Sequence, residues 1–219
     1  MSEPFRIKVC GITTVEAAEA AVEAGADHLG LVLCPSARRV SPERAVDLVS
    51  RVSAAWIGVF VDALLEEMTG LASDLDLAAV QLHGREPPEL CDAVRAATGL
   101  PVWKALVPGL REMAPDYHDV VDALLLDAGR GGGRTLDWAA VGEEFPRASR
   151  RVPVVLAGGL DAGNVGEAIR AADPDGVDAS SRLESAPGEK DPDRVRAFVR
   201  CARAAGLRTP LGDPTWAPR

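Results

Sequence analysis

The order of hydrophobic and polar positions divides the chain into short apolar runs that alternate with longer segments of helical periodicity. Several runs, such as LGLVL, IGVFV and PVVLA, are almost continuously apolar, which is typical of parallel strands covered on both faces. The pattern therefore predicts eight strand-then-helix units. The predicted strands are residues 6–10, 29–33, 56–61, 78–82, 102–106, 123–126, 154–157 and 177–179. The predicted helices are residues 14–24, 42–52, 64–71, 88–97, 110–118, 138–145, 162–171 and 192–205.

This alternation also predicts the fold class. Eight units within residues 1–206 predict a single (β/α)₈ TIM barrel of parallel strands. An open, doubly wound sheet is the alternative, because alternation of strands and helices does not by itself decide whether the sheet closes. A G-x-G-x-x-G segment after the first strand would favour a Rossmann fold, but the chain has KVCGIT there. Residues 207–219 are rich in Pro and Gly, which predicts a loosely ordered tail.

Composition and charge indicate which classes of molecule the protein can bind. The 219 residues carry a formal net charge of −9, which argues against binding to nucleic acid or to an anionic membrane surface. An anionic small substrate remains compatible with this charge, because arginines and backbone N–H groups create local positive sites. The four cysteines form no C-x-x-C pair, so neither a zinc site nor a dithiol redox site is indicated. With a polar start and no long apolar run, the protein is expected to be cytoplasmic.

Two strand ends carry candidates for acid–base chemistry, since barrel enzymes place their active sites at the carboxyl ends of the strands. Cys10 ends the first strand, and it is either a buried small hydrophobe or a general base whose thiolate a nearby cation stabilises. Alternation along the strand places Lys8 on the same face, one layer below the thiol. Asp127 ends the sixth strand, where it either caps a turn or keeps its proton in a partly dry pocket as a general acid.

Other strand ends carry candidate groups for binding a substrate. Glycines after the seventh strand and serines after the eighth strand indicate a phosphate site, although both residue types are also common in ordinary turns. These candidates are Gly158, Gly159, Ser180 and Ser181. Arg38, after the second strand, is either solvated or binds a substrate carboxylate through two hydrogen bonds. His83, after the fourth strand, is either a turn residue or part of the site.

The motifs of the chain resemble those of the phosphoribosylanthranilate isomerases of tryptophan biosynthesis. The resemblance runs from about residue 8 to about residue 198, and its most specific motifs are KVCGIT, VQLHG and the pattern VD-x-SS-x-x-E-x-x-PG-x-KD. It implies that Cys10 is the catalytic base and Asp127 the catalytic acid. It further implies that Arg38, His83 and Asp178 bind the substrate. The phosphate-binding residues that it implies are Gly158, Gly159, Ser180, Ser181 and Arg182.

The implied reaction is an Amadori rearrangement of a phosphorylated aryl-ribotide. The iminium intermediate is itself the electron sink, so the resemblance implies neither a metal nor an organic cofactor. The expected partner is an anionic phosphorylated small molecule, and the protein is expected to be a monomer or a homodimer. The chain departs from the family pattern around Arg38, in residues 130–133 and at Arg182. These departures leave two alternatives open: a sibling enzyme for another aryl- or amino-ribotide, and a non-catalytic phosphate-binding barrel.

Overall fold

Eight parallel strands close into one barrel in the order β1 to β8, and β8 pairs with β1. The structure is a computed structural model that describes residues 5–106, 114–129 and 135–206. The strands are β1 (Arg6–Cys10), β2 (His28–Val32), β3 (Trp56–Phe60), β4 (Ala79–Leu82), β5 (Val102–Leu106), β6 (Ala123–Leu126), β7 (Val154–Leu156) and β8 (Gly176–Ala179). Closure confirms the predicted (β/α)₈ barrel and excludes the open doubly wound sheet.

A helix follows each strand. The helices are α1 (Val15–Glu23), α2 (Pro42–Arg51), α3 (Leu65–Asp74), α4 (Pro88–Thr98), α5 (Ala114–Tyr117), α6 (Trp138–Glu144), α7 (Val165–Ala172) and α8 (Pro192–Gly206). Short 3₁₀ turns cover Arg147–Ser149 and Ser181–Leu183. A two-stranded antiparallel hairpin, β9 (Glu184–Ala186) and β10 (Glu189–Lys190), lies between β8 and α8 and was not predicted. None of the helices in the described ranges is long and apolar enough to cross a membrane.

Side-chain alternation along the strands divides the core into two regions. Ile7 and Val9 of β1 are fully buried in the large core between barrel and helices. A separate apolar cluster fills part of the barrel interior, and Trp103 is its largest member. Lys8 and Cys10 take the alternate positions of β1 and face the interior. The inward face of each strand therefore determines which polar groups can meet inside the barrel.

The helix starts follow local chemistry that the sequence makes visible. Ser41 accepts a hydrogen bond from the backbone N–H of Arg44 at 3.3 Å, and Pro42 begins α2, as the Ser-Pro pair predicted. The predicted start of α7 at residue 162 was wrong. Asn164 accepts from the N–H of Asp161 and donates to the carbonyl of Gly159, which keeps this segment in a turn until Val165. Residues 110–113 of the predicted fifth helix and the predicted tail, residues 207–219, lie outside the described residues.

Candidate active site

The carboxyl end of the barrel brings together polar side chains from strands that are far apart in sequence. Cys10 ends β1, His83 follows β4, Asp127 follows β6, and Asp178 lies near the end of β8. Along one arc of the barrel, β7 and β8 separate β6 from β1; along the other, β2 to β5 do. The thiol and the carboxyl predicted to act as base and acid therefore stand on different walls of the same enclosure.

A buried ion pair lies beneath the thiol of Cys10. Lys8 Nζ donates a hydrogen bond to Asp178 Oδ2 at 3.0 Å, and the lysine side chain is 1% exposed. Burial acts to lower the pKa of Lys8, but the charges of Asp178 and Cys10 outweigh it and raise that pKa, so Lys8 stays a cation. Burial raises the pKa of the Cys10 thiol, and Lys8 acts in the opposite direction. The predicted position of Lys8 below the thiol is confirmed.

Gly30 of β2 provides the space that both groups occupy. A Cβ atom at this position would lie 2.8 Å from Cys10 Sγ and 3.2 Å from Lys8 Nζ. The thiol and the ammonium group therefore meet over a residue that has no side chain. This contact defines the β1 wall of the site.

Asp127 faces the histidine of the fourth strand end. Its Oδ1 accepts from the N–H of Gly129 at 3.0 Å, and its Oδ2 lies 3.6 Å from His83 Nε2. Burial raises the pKa of Asp127, which favours the protonated form that a general acid requires. The carboxyl stays accessible, because 21% of its side chain is exposed.

His83 is held as a neutral side chain. Burial and then the charge of Lys8 lower its pKa to about 4. Gln81 Nε2 lies 3.0 Å from His83 Nδ1, and an amide nitrogen can only donate. With the Gln81 amide in this orientation, His83 Nδ1 is the acceptor, and the Nε2 that faces Asp127 carries the proton. His83 can donate a hydrogen bond into the site but brings no positive charge to it.

The predicted phosphate-binding glycines form a tight turn after β7. Gly158 and Gly159 have φ values of +88° and +63°, in the left-handed region that favours glycine. A Cβ at Gly158 would lie 2.6 Å from the backbone nitrogen of Ala128, so this turn packs tightly against the one after β6. The side chain of Asn164 fixes the turn through the carbonyl of Gly159 at 2.8 Å. The result is a rigid backbone loop beside the loop that carries Asp127.

The turn after β8 places Ser180, Ser181 and Arg182 next to this loop. Ser180 Oγ donates to the carbonyl of Cys10 at 2.9 Å, so the proton of its hydroxyl is already used within the protein. Any contribution of Ser180 to phosphate binding would come from its backbone N–H. Ser181 begins the 3₁₀ turn. Arg182 Nη1 lies 3.3 Å from Asp161 Oδ2 and links the turns after β7 and β8.

Arg38 has a partner that was not predicted. Its Nε and Nη2 donate to the two carboxylate oxygens of Glu184 at 2.6 and 2.9 Å. Its Cδ would lie 2.7 Å from a Cβ placed at Gly11, the residue after Cys10. The arginine predicted to bind a carboxylate thus lies at the mouth of the barrel and already holds a protein carboxylate.

A second buried ion pair was also missed. Lys104 Nζ lies 2.8 Å from Glu86 Oε2, and both side chains are fully buried. Glu86 accepts from the backbone N–H groups of Asp62 and Gly84, and Lys104 donates to the carbonyl of Gly84. This network fixes the loop that follows β4 and carries His83. The signal was a lysine within an otherwise buried strand, since such a charge requires a partner.

Comparison with known proteins gives a consistent result for nearly the whole chain. The sequence model of the family "N-(5′phosphoribosyl)anthranilate (PRA) isomerase" matches residues 7–201. The N-(5′-phosphoribosyl)anthranilate isomerase of Desulforudis audaxviator is 43% identical, over 91% of this chain and 98% of its own. The protein of the same name from Azorhizobium caulinodans is 41% identical over 92% of each chain.

Solved structures agree with the sequence relatives. The phosphoribosyl anthranilate isomerase of Thermotoga maritima superimposes with a TM-score of 0.82 at 38% identity, and the match covers 91% of this chain and 98% of that one. A phosphoribosyl anthranilate isomerase in complex with reduced 1-(o-carboxyphenylamino)-1-deoxyribulose 5-phosphate matches with a TM-score of 0.80, 38% identity and the same coverage.

Proposed function

Because the chain belongs to the N-(5′-phosphoribosyl)anthranilate isomerase family, we propose that it isomerises N-(5′-phosphoribosyl)anthranilate to 1-(2-carboxyphenylamino)-1-deoxyribulose 5-phosphate, with Asp127 as general acid and Cys10 as general base. The chain is an isomerase, and the proposed activity is a step of tryptophan biosynthesis. The observation that carries the proposal is the position of Cys10 and Asp127 on different walls of one polar enclosure.

The first step is protonation of the ribose ring oxygen by Asp127. The C1–O bond breaks, the ring opens, and the lone pair of the anilino nitrogen forms the iminium. The raised pKa of Asp127 supports this role because the carboxyl must carry a proton before the substrate binds. His83 lies 3.6 Å away and is neutral. It therefore brings no positive charge that would stabilise the ionised form of Asp127.

The second step is removal of the proton from C2 by Cys10. The electron pair of the C2–H bond moves into the iminium and gives an enolamine, which tautomerises to the ketone. A thiolate is required, while burial raises the pKa of this thiol. Lys8, held by Asp178 directly beneath Cys10, is the cation that counteracts part of the effect of burial and so raises the thiolate fraction.

We assign substrate binding to two regions of the barrel mouth, one for the phosphate and one for the carboxylate of the aryl group. The backbone of Gly158 and Gly159, together with the Ser180–Ser181 turn and Arg182, would bind the phosphate. Arg38 would bind the carboxylate of the aryl group, with His83 and Asp178 near the ribose. Phosphate binding away from the reacting carbons positions the sugar between acid and base.

The test is turnover of N-(5′-phosphoribosyl)anthranilate, followed by the loss of its fluorescence. We expect Cys10→Ala and Asp127→Asn each to lower kcat by about 10²- to 10⁴-fold, the usual contribution of a proton-transfer group. The matched controls are Cys201→Ser, which removes an exposed thiol on α8, and Asp92→Asn, which changes an exposed carboxylate on α4. Both controls should keep the rate of the unchanged protein.

Other outcomes would support the alternatives. Tight binding of the ribotide without turnover would favour a non-catalytic phosphate-binding barrel. Absence of binding, together with turnover of a different aryl- or amino-ribotide, would favour a sibling enzyme. Full activity in either Cys10→Ala or Asp127→Asn would remove that residue from the mechanism.

A further inference from the structure

Glu184, at the start of the β9–β10 hairpin, binds both Arg38 and Lys190. Its two carboxylate oxygens accept from Arg38 at 2.6 and 2.9 Å, and Oε1 also lies 2.7 Å from Lys190 Nζ. Glu184 and Lys190 are buried, with side chains 5% and 0% exposed. Burial acts to raise the pKa of Glu184, but its two cationic partners hold that pKa below the usual range. Glu184 is therefore a fixed carboxylate, 146 residues away in sequence from the arginine it holds.

The charges of Arg38, Glu184 and Lys190 do not cancel. Arg38 and Lys190 bring two positive charges and Glu184 one negative charge, so one positive charge remains. Lys190 is enclosed and also donates to Ser180 Oγ at 3.3 Å. Arg38 is the partly open member, with 24% of its side chain exposed. The excess positive charge is thus presented by the arginine, which suits an anionic group of a ligand.

The orientation of Arg38 leaves one edge of its guanidinium for a ligand. Glu184 takes the edge formed by Nε and Nη2, and among the described residues Nη1 donates no hydrogen bond. The remaining edge, Nη1 with the second proton of Nη2, has the geometry that binds a carboxylate through two hydrogen bonds. The side chain crosses Gly11, directly after Cys10, so this edge lies at the same mouth as the thiol.

We propose that Glu184 is a positioning residue that fixes Arg38 for the ortho-carboxylate of an aryl-ribotide, and that Lys190, which binds the same carboxylate at 2.7 Å, holds Glu184 in place for this purpose. This inference rests on the proposed function. It makes Glu184 a determinant of selectivity for aryl groups that carry a carboxylate. A hairpin that serves only to stabilise the fold would have no such selectivity.

The test compares two substrates that differ only in the carboxylate: N-(5′-phosphoribosyl)anthranilate and the corresponding ribotide of aniline. In Glu184→Gln, kcat/KM for the first should fall roughly tenfold or more, the scale of one charged hydrogen bond. The fall should be carried mainly by KM and should be clearly larger than for the aniline ribotide. In an Arg38→Leu background, Glu184→Gln should add little further loss, because the two residues act as one unit.

Two further variants keep the test decisive if Glu184→Gln folds poorly. Glu184→Asp retains the charge that Lys190 requires but shortens the side chain, so a smaller loss with the same selectivity is expected. Glu189→Gln removes an exposed carboxylate of the same hairpin and is the matched control. Circular dichroism and the melting temperature establish folding for each variant.

An equal loss for both substrates, or no loss in folded Glu184→Gln and Glu184→Asp, would overturn the inference. The proposed function would still stand in that case, provided that the unchanged protein turns over N-(5′-phosphoribosyl)anthranilate. If the unchanged protein does not act on that substrate, the proposed function fails, and this inference fails with it.

Discussion

Gly30 limits how the thiol of Cys10 and the ammonium group of Lys8 can be arranged. Cys10 is paired with Gly30 in the β1–β2 ladder, so the backbone of neither residue can move away freely. A Cβ at Gly30 would lie 3.0 Å from Cys10 Cα as well as 2.8 Å from Sγ. A rotation of the cysteine side chain would relieve only the second of these contacts. The absence of a side chain at residue 30 is thus a requirement of the site.

We therefore expect Gly30→Ala to lower kcat on the order of 10- to 100-fold, because displacement of a reacting group by about 1 Å has effects of this size. The stability cost should be about 1–3 kcal/mol, as for other overpacked positions. Both are measured by steady-state kinetics with the anthranilate ribotide and by urea unfolding.

Gly70→Ala is the matched control, since a Cβ at this position in α3 meets nothing within 4 Å. It should leave kcat unchanged and stabilise the protein by about 0.5–1 kcal/mol. Unchanged kcat in a folded Gly30→Ala protein would show that the thiol does not need its present position.

At the scale of elements, the β9–β10 hairpin covers the loops that follow β1 and β2. Thr13 Oγ1 donates to the carbonyl of Gly188 at 2.7 Å, and a Cβ at Gly188 would lie 2.5 Å from the carbonyl oxygen of Ala37. Gly188 is buried with φ +85°. The hairpin turn therefore sets the position of the loop that carries Arg38.

Gly188→Ala should cost stability in two ways. The left-handed backbone is strained by about 1–2 kcal/mol with any L side chain, and the contact with Ala37 adds to that strain. The displaced loop should also raise KM for the anthranilate ribotide, roughly tenfold if the contact with the carboxylate is lost. Urea unfolding and steady-state kinetics measure the two effects separately.

The Gly25→Ala variant distinguishes the effect of backbone strain from the effect of displacing the Arg38 loop. Gly25 has φ +94°, but a Cβ there meets nothing within 4 Å. This variant should show the loss of stability from backbone strain without a change in KM. Equal KM values in Gly188→Ala and Gly25→Ala would mean that the hairpin does not position the Arg38 loop.

Elements that have their own periodicity and capping residues could be predicted from the sequence. Strands β1, β5 and β6 were predicted with the bounds that the structure shows, as were the starts of α2, α4, α6 and α8. The β9–β10 hairpin was missed because strands of three and two residues carry no periodic signal. The start of α7 was wrong because the side chain of Asn164 holds the preceding turn, a contact that depends on local geometry.

The residues of the candidate site likewise divide into those that the sequence could predict and those that it could not. Cys10, His83, Asp127 and Asp178 could be found because each stands at or near a strand end, and barrel closure brings strand ends together. Their individual roles stay predictions. Glu184, Lys190 and Glu86 were missed as partners, since charged residues outside the barrel strands are usually solvated. Lys104 was missed although its position within a buried strand signalled that its charge requires a partner.

At the scale of the whole molecule, barrel closure partly buries two histidines. Burial lowers the pKa of both His28 and His83 from 6.5 to about 4. For His28 the charge of Arg6 acts in the same direction, as does that of Lys8, while Asp27 opposes them. Between pH 6.5 and pH 4 the unfolded chain therefore binds more protons at these residues than the folded protein does. Their contribution to stability is present above pH 6.5 and is lost as the pH falls through this range.

The His28→Leu variant removes one of these two protonation sites, so its effect on stability can be measured separately. His28 packs edge-on against Trp103, with ring centroids 5.3 Å apart, so an apolar replacement keeps the position filled. Asp127 and Asp178 have raised pKa values and act in the opposite direction in acid, so the comparison must be between variant and unchanged protein. Urea unfolding between pH 7.5 and pH 4 should show a slope of stability against pH that is shallower in the variant by up to about 1.4 kcal/mol per pH unit. Parallel curves for the two proteins would mean that His28 takes up its proton as readily in the closed barrel as in the unfolded chain.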